Sequence, residues 1–183
     1  MFASMPASIA PLRLPPPMRL LLHPIGAGSS RELPNPEEIV IENARWLPDN
    51  QRVVLFGPTT RARRRGFVQR IAGGAPVAFT PEGVEPPNWW AMAVSPDGTK
   101  VTARGPDGVM GLWPLNGGPP ESLELGAGHV PIGWSADGRR LVVGRRTRSG
   151  WSVGFFDLAT GRLQPVRDIA ANEASGLRAT VLA

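Results

Sequence analysis

Few residues in this chain are of a type and spacing that could do chemistry. Gly150-Trp151-Ser152-Val153-Gly154 fits the G-x-S-x-G pattern, in which a serine nucleophile sits on a sharp turn between a strand and a helix. Such a serine needs an acid and then a histidine downstream of it. Both histidines, His23 and His129, come before it. The run from Ser152 to Phe156 reads as a strand with no helix after it, so the match is read as coincidence. The histidines have no cysteine and no HExxH pairing to complete a metal set, so hydrogen-bonded surface roles are expected for both. Asp49, Asp97, Asp107 and Asp137 could be calcium ligands or acid–base pairs. Each stands in a Pro-Asp-Gly type of turn, where the aspartate caps its own backbone, and that structural role is the expectation. No catalytic, cofactor-binding or metal-ligating residue is expected, and the chain is not expected to be an enzyme.

Two groups are candidates for contact with a partner. Arg61, Arg63, Arg64 and Arg65, with Arg70 close behind, form a cationic run on a predicted hairpin, where an exposed charged loop is the ordinary reading. The run could meet an acidic protein or lipid. It lacks the interleaved aromatics that grip single-stranded nucleic acid, so nucleic acid is disfavoured. Trp89 and Trp90, beside Pro86 and Pro87, could serve as binding anchors on an exposed face or simply as core. Trp46 and Trp134 hold matching places just before the aspartate turns, and packing between repeats is predicted for them.

The bulk composition sets the frame for these groups. The chain has 183 residues, 42% hydrophobic and 19% charged, which suits a packed core rather than a disordered chain. Its 22 glycines and 21 prolines make up about a quarter of the residues and imply many turns between short strands. There is no cysteine, which excludes disulfides, thiolate metal sites and cysteine nucleophiles. The net charge of +5 favours acidic partners. No stretch is long and apolar enough to span a bilayer. Residues 1–17 are broken by five prolines and have their one basic residue, Arg13, after the apolar part, so a disordered leader is expected there rather than a signal peptide. The expected location is cytoplasmic, or extracytoplasmic if the chain is part of an exported parent.

The elements that must position these residues recur. Four segments carry an apolar run, an aliphatic residue (Ile25, Ile71, Leu115, Leu158) and a glycine three positions later. Those glycines, Gly28, Gly74, Gly118 and Gly161, are spaced by 46, 44 and 43 residues. Between them recurs a strand, a polar turn and a second strand, with turns at Pro48-Asp49-Asn50, Pro96-Asp97-Gly98 and Ala136-Asp137-Gly138. Each repeat is therefore predicted to be a four-stranded antiparallel meander. In the third repeat the strands are placed near 89–94, 99–104, 109–113 and 121–125. Meanders recurring at about 40–45 residues must stack to bury both faces, which is the arrangement of propeller blades. The prediction is an all-β partial propeller over residues 18–183, with about four blades, two complete and two partial.

The strand–SPDG–strand element, followed by PLNGGPPESL or DLATGRLQPV, resembles the TolB-like, WD-repeat-type propellers of bacteria. More narrowly, WWAMAVSPDGTKVTARGPDGVMGLWPLNGG and IGWSADGRRLVVGRR are similar to the C-terminal propeller of some bacterial serine/threonine protein kinases. The resemblance implies a non-catalytic module for interaction or sensing, with a protein or small-ligand partner. It also leaves open the non-catalytic propeller of an S9-type peptidase and a truncated remnant without independent function. No kinase motif is present in the chain. With only parts of two blades at its ends, the chain is expected to be a fragment of a larger array, and its open blade edges suggest self-association.

Overall fold

The fold is known from a computed structural model that describes residues 19–88 and 91–170. The leader 1–17, Trp89, Trp90 and the last residues lie outside the described residues. Among the described residues there are thirteen strands and no helix. The strands form four antiparallel sheets, one per repeat.

The first sheet pairs β1 (Leu20–Leu22) with β2 (Arg31–Leu33). The second runs through β3 (Asn43–Trp46), β4 (Arg52–Gly57), β5 (Arg65–Arg70) and β6 (Val77–Ala78). The third joins β7 (Lys100–Arg104), β8 (Met110–Pro114) and β9 (Glu121–Ser122). The fourth contains β10 (His129–Trp134), β11 (Arg140–Arg146), β12 (Gly150–Asp157) and β13 (Leu163–Ala170). All the pairings are between strands adjacent in sequence, as a meander requires. Two sheets are complete and two are partial.

The stacking follows from period-two alternation in strands covered on both faces. In β4, Val53 and Leu55 join Leu33, Ile39, Ile41 and Phe67 in a cluster against the first sheet. Val54 and Phe56 point the other way, into a cluster with Val101, Ala103 and Trp113 of the third sheet. A third cluster joins Met110 and Leu112 to Leu141, Val143 and Phe156 of the fourth. Four sheets thus share three apolar interfaces. On the fourth sheet's other face Val142, Val153 and Phe155 are half-buried, the Arg140 guanidinium lies 4.7 Å from the centre of the Phe155 ring, and no other described sheet packs there.

The third repeat departs from the prediction at its first strand. Of the described residues predicted for that strand, only Val94 bridges to β7, through Val101, while Glu85, ahead of it, bridges to Arg104. Nearby, Ala93 N donates to the Thr102 hydroxyl at 3.1 Å, and a side chain there takes the place of a ladder carbonyl. The last strand is also shorter than predicted: it spans Glu121–Ser122, Leu123 N still donates to Met110 O at 2.8 Å, and Leu123 and Leu125 are buried in the core.

One contact sets the relative height of the sheets. The place where a Cβ would stand on Gly98 is 3.3 Å from Pro48 Cδ, and the same place on Gly138 is 3.8 Å from Pro96 Cδ. The aspartate turns of the third and fourth sheets therefore rest on the turn of the preceding sheet. All three aspartate turns lie at one end of the stack, and the hairpins between the second and third strands of each sheet lie at the other.

Candidate functional site

The aspartate turns are built almost identically. In the third repeat the Ser95 hydroxyl donates to Asp97 Oδ1 at 2.5 Å, and the same oxygen accepts from Thr99 N at 3.0 Å. Ser95 Oγ in turn accepts from Lys100 N at 2.9 Å. The fourth repeat repeats this with Ser135, Asp137, Arg139 and Arg140 at 2.6, 3.1 and 3.0 Å. In the second repeat Leu47 replaces the serine, and Asp49 instead accepts from Gln51 N at 2.9 Å and from Arg52 Nε at 2.6 Å. Asp107 caps its own turn through Val109 N at 3.0 Å. The carboxylates predicted to be turn caps are turn caps.

These bonds act on the ionised carboxylate, so they lower its pKa. The Ser95 hydroxyl and then the Thr99 amide hold Asp97 below the usual aspartate value. For Asp137 the chief cause is the Ser135 hydroxyl, for Asp49 the Gln51 amide, and for Asp157 the Thr160 amide. A depressed folded pKa means stability that is full above the unfolded value near 3.9 and fades as pH falls through the folded values. The unfolding midpoint is therefore expected to drop as pH falls below about 4. Asp97→Asn should be less stable than the native chain at neutral pH and should show a flatter acid limb in urea titrations. An unchanged acid limb would mean that the turn carboxylates are not its source.

Ser152 does not stand at an elbow. It lies inside β12, paired to Arg145 on one side and Asp168 on the other, so the strand continues where an elbow would turn. His129 pairs with Arg145 on the far side. Arg145 thus stands between the serine and the histidine, which are two strand spacings or about 9.6 Å apart. That is far outside the reach of a nucleophile–base hydrogen bond. His23 shares a 2.8 Å hydrogen bond with Ser30 at the surface. His129 Nδ1 is buried without a hydrogen-bond partner among the described residues. Among the described residues no group of three or more His, Asp or Glu could hold a metal ion.

The arginine run divides in two. Arg64 makes a two-pronged contact with Glu42, at 2.6 and 2.9 Å, and approaches Glu85 at 3.7 Å. Arg65 donates twice to the Thr80 carbonyl, at 3.0 and 2.7 Å, and lies 5.9 Å from the centre of the Phe67 ring. These two are tied to their own surroundings. Arg61 and Arg63 are exposed on the β4–β5 hairpin, and their guanidinium groups form no ion pair among the described residues. Even so, Glu38 and Glu82 flank that hairpin through Thr60 Oγ1 and Arg63 N. The run is therefore much closer to neutral in three dimensions than in one.

A second basic cluster forms no ion pair among the described residues, although Asp168 lies two strands from Arg145 in the same row. Arg145, Arg146 and Arg148, at the β11–β12 hairpin, are all exposed, and among the described residues none forms an ion pair. Sequence reasoning missed it because the run at 61–65 is denser. The usable signal was the absence of any carboxylate between Asp137 and Asp157. Trp46 also departs from expectation. It is 53% exposed, because β3 turns its side chain outward, while Trp134 packs beside Leu158 in the third-to-fourth interface.

No family model matches the sequence, and no curated protein matches it. Solved structures do. The chain is similar to TolB from Acinetobacter baumannii, with a TM-score of 0.63 at 15% identity over 82% of this chain. It is also similar to a protein assigned as TolB from Agrobacterium tumefaciens, with a TM-score of 0.58 at 18% identity over 82% of this chain. The matches span 37% and 58% of those two proteins. The fold is the all-β, TolB-like propeller fold.

Proposed function

We propose that this chain is a non-catalytic propeller module whose stacked sheets hold hairpin tips rigidly for contact with a protein or small-ligand partner. The observation that carries this reading is the division of polar groups between the two ends. At one end the carboxylates and hydroxyls are used in closing turns. At the other, where Asp107 caps the β7–β8 hairpin, the exposed guanidinium groups of Arg61, Arg63, Arg145, Arg146 and Arg148 stand at the neighbouring hairpins. Loops on a rigid β-scaffold are the usual place for recognition. The Ser152 geometry gives no support to hydrolysis, since a strand arginine separates it from His129.

The test separates scaffold from tip and binding from catalysis. Replacing Arg61 and Arg63 with serine should leave the unfolding free energy within about 0.5 kcal/mol of native, as at ordinary surface positions. Chromogenic esters and peptides should not be turned over, and Ser152→Ala should behave as the native chain. A Ser152-dependent hydrolysis would sink the reading, and so would unfolding on removal of the tip side chains.

A further inference from the structure

We infer that the groove between the first two sheets, at the end where the aspartate turns lie, is a binding site for a small phosphate monoester. It lies at the opposite end from the hairpin tips of the display reading and does not rest on that reading.

The first observation is the groove itself. Its volume is about 470 Å³, within the range of small-molecule sites. Two neighbouring turns of the second sheet line it, at 49–52 and 70–72, and Arg31 lines it from the first sheet. The turns are joined by Ile71 N donating to Gln51 O at 2.9 Å. Arg31 alternates with Leu33 onto the face turned toward the second sheet. Its guanidinium donates to the carbonyls of Ile71 and Ala72, the latter at 3.2 Å. Those acceptors are neutral, so they fix the position of the group and leave its charge in place. Arg52 belongs by alternation to the far face of β4, with Val54, yet Asp49 Oδ2 holds its Nε at 2.6 Å, back at the turn. The groove therefore lies over the end of the second sheet, and its residues reach it without sharing a face.

The second observation is a pairing that the other sheets avoid. Arg52 and Arg70 stand directly opposite each other in the β4–β5 ladder. Like charges so placed destabilise a sheet. The equivalent pairs are Lys100 with Pro114 in the third sheet and Arg140 with Asp157 in the fourth. Arg70 is exposed, and among the described residues neither it nor Arg31 forms an ion pair. Glu32, next to Arg31, is taken by Arg19 at 2.9 Å. Among the described residues the one carboxylate lining the groove is Asp49. Three guanidinium groups against one carboxylate leave two positive charges around the groove.

That excess selects the ligand class. A phosphate monoester carries about −1.5 to −2 charge near pH 7 and offers three acceptor oxygens. Guanidinium forks match that geometry. A monocarboxylate brings only half the charge. Half-buried Ile71 and the methyl of Ala72 add apolar wall beside the cations, which suits an organic substituent that the bare ion lacks.

The test uses the full chain and phenyl phosphate, followed by titration calorimetry at low salt. The native chain should bind the ester, and more weakly as salt rises. Arg70→Gln should weaken binding by about tenfold or more, the effect of losing one charge-assisted hydrogen bond. Because Arg70 has no partner to lose, the unfolding midpoint of that variant should equal or exceed native. Arg70→Asp, which reproduces the pairing of Arg140 with Asp157, should abolish binding and raise the midpoint. Arg61→Gln with Arg63→Gln, at the other end of the stack, should change binding by less than about twofold. Benzoate and inorganic phosphate should both bind more weakly than the ester. No binding of phenyl phosphate overturns the inference, and so does binding that Arg70→Gln leaves unchanged. Equal affinity for benzoate overturns the charge assignment, and equal affinity for inorganic phosphate overturns the ester. None of these results touches the display reading, which fails by Ser152-dependent turnover or by unfolding on tip replacement.

Discussion

Phe56→Ala is expected to lower the unfolding free energy by about 3–5 kcal/mol, the usual cost of emptying a buried phenylalanine site. Phe56 is wholly buried in β4 and meets Phe79 edge-on, with ring centroids 5.8 Å apart and planes at 85°. The same cluster holds Val54, Val101 and Trp113, so the lost ring opens the seam between the second and third sheets. That seam is one of only three apolar interfaces found among the described residues. The loss should appear in urea titration as a lower midpoint, and against a total of about 5–15 kcal/mol it would leave a marginal protein. Phe56→Leu, which refills much of the volume, should recover a large part of it. A Phe56→Ala chain as stable as native would mean that the two sheets do not depend on each other.

The second large effect is expected at Gly57, the next residue. A Cβ there would stand 2.0 Å from the Val40 carbonyl oxygen and 2.9 Å from its carbon, both backbone atoms that cannot rotate away. The connection from β2 to β3 is held against β4 by Val40 N to Pro58 O at 2.8 Å and Glu42 N to Phe56 O at 2.9 Å. Gly57→Ala must push that connection off and break both bonds. The expected cost is about 3 kcal/mol, at the upper end of ordinary overpacking. Gly133→Ala is the matched control. Its Cβ would meet Val142 at 3.9 Å, an ordinary contact, so its cost should stay below about 1 kcal/mol. If both variants melt alike, the close approach at Gly57 does not bear on stability.

Much of the architecture could be read from residue order. The recurrence at Gly28, Gly74, Gly118 and Gly161 marks the connection between the third and fourth strands of each repeat, and all four glycines lie in those connections. Three of them, Gly28, Gly74 and Gly161, have positive φ, and at Gly118 the neighbouring Gly117 has it instead. The aspartate turns were equally legible, because an Asx turn depends only on the side chain and the backbone two or three residues on. Ser152 could be set aside for the same kind of reason, since its neighbours read as strand. These are local facts, and the sequence determines them without reference to the rest of the chain.

What the sequence by itself settled, then, was the repeat, the strands and the turns. Which arginines stay available was decided only by tertiary structure. Glu42 and Glu85 lie 22 and 21 residues from Arg64, on opposite sides of it in the chain, yet both reach it. None of Arg145, Arg146 and Arg148 in the fourth sheet forms an ion pair among the described residues. Trp46 and Trp134 hold equivalent positions, yet one is exposed and the other packs at an interface. Ion pairing and burial act through space at a few ångströms, and sequence distance enters them only after the sheets have stacked.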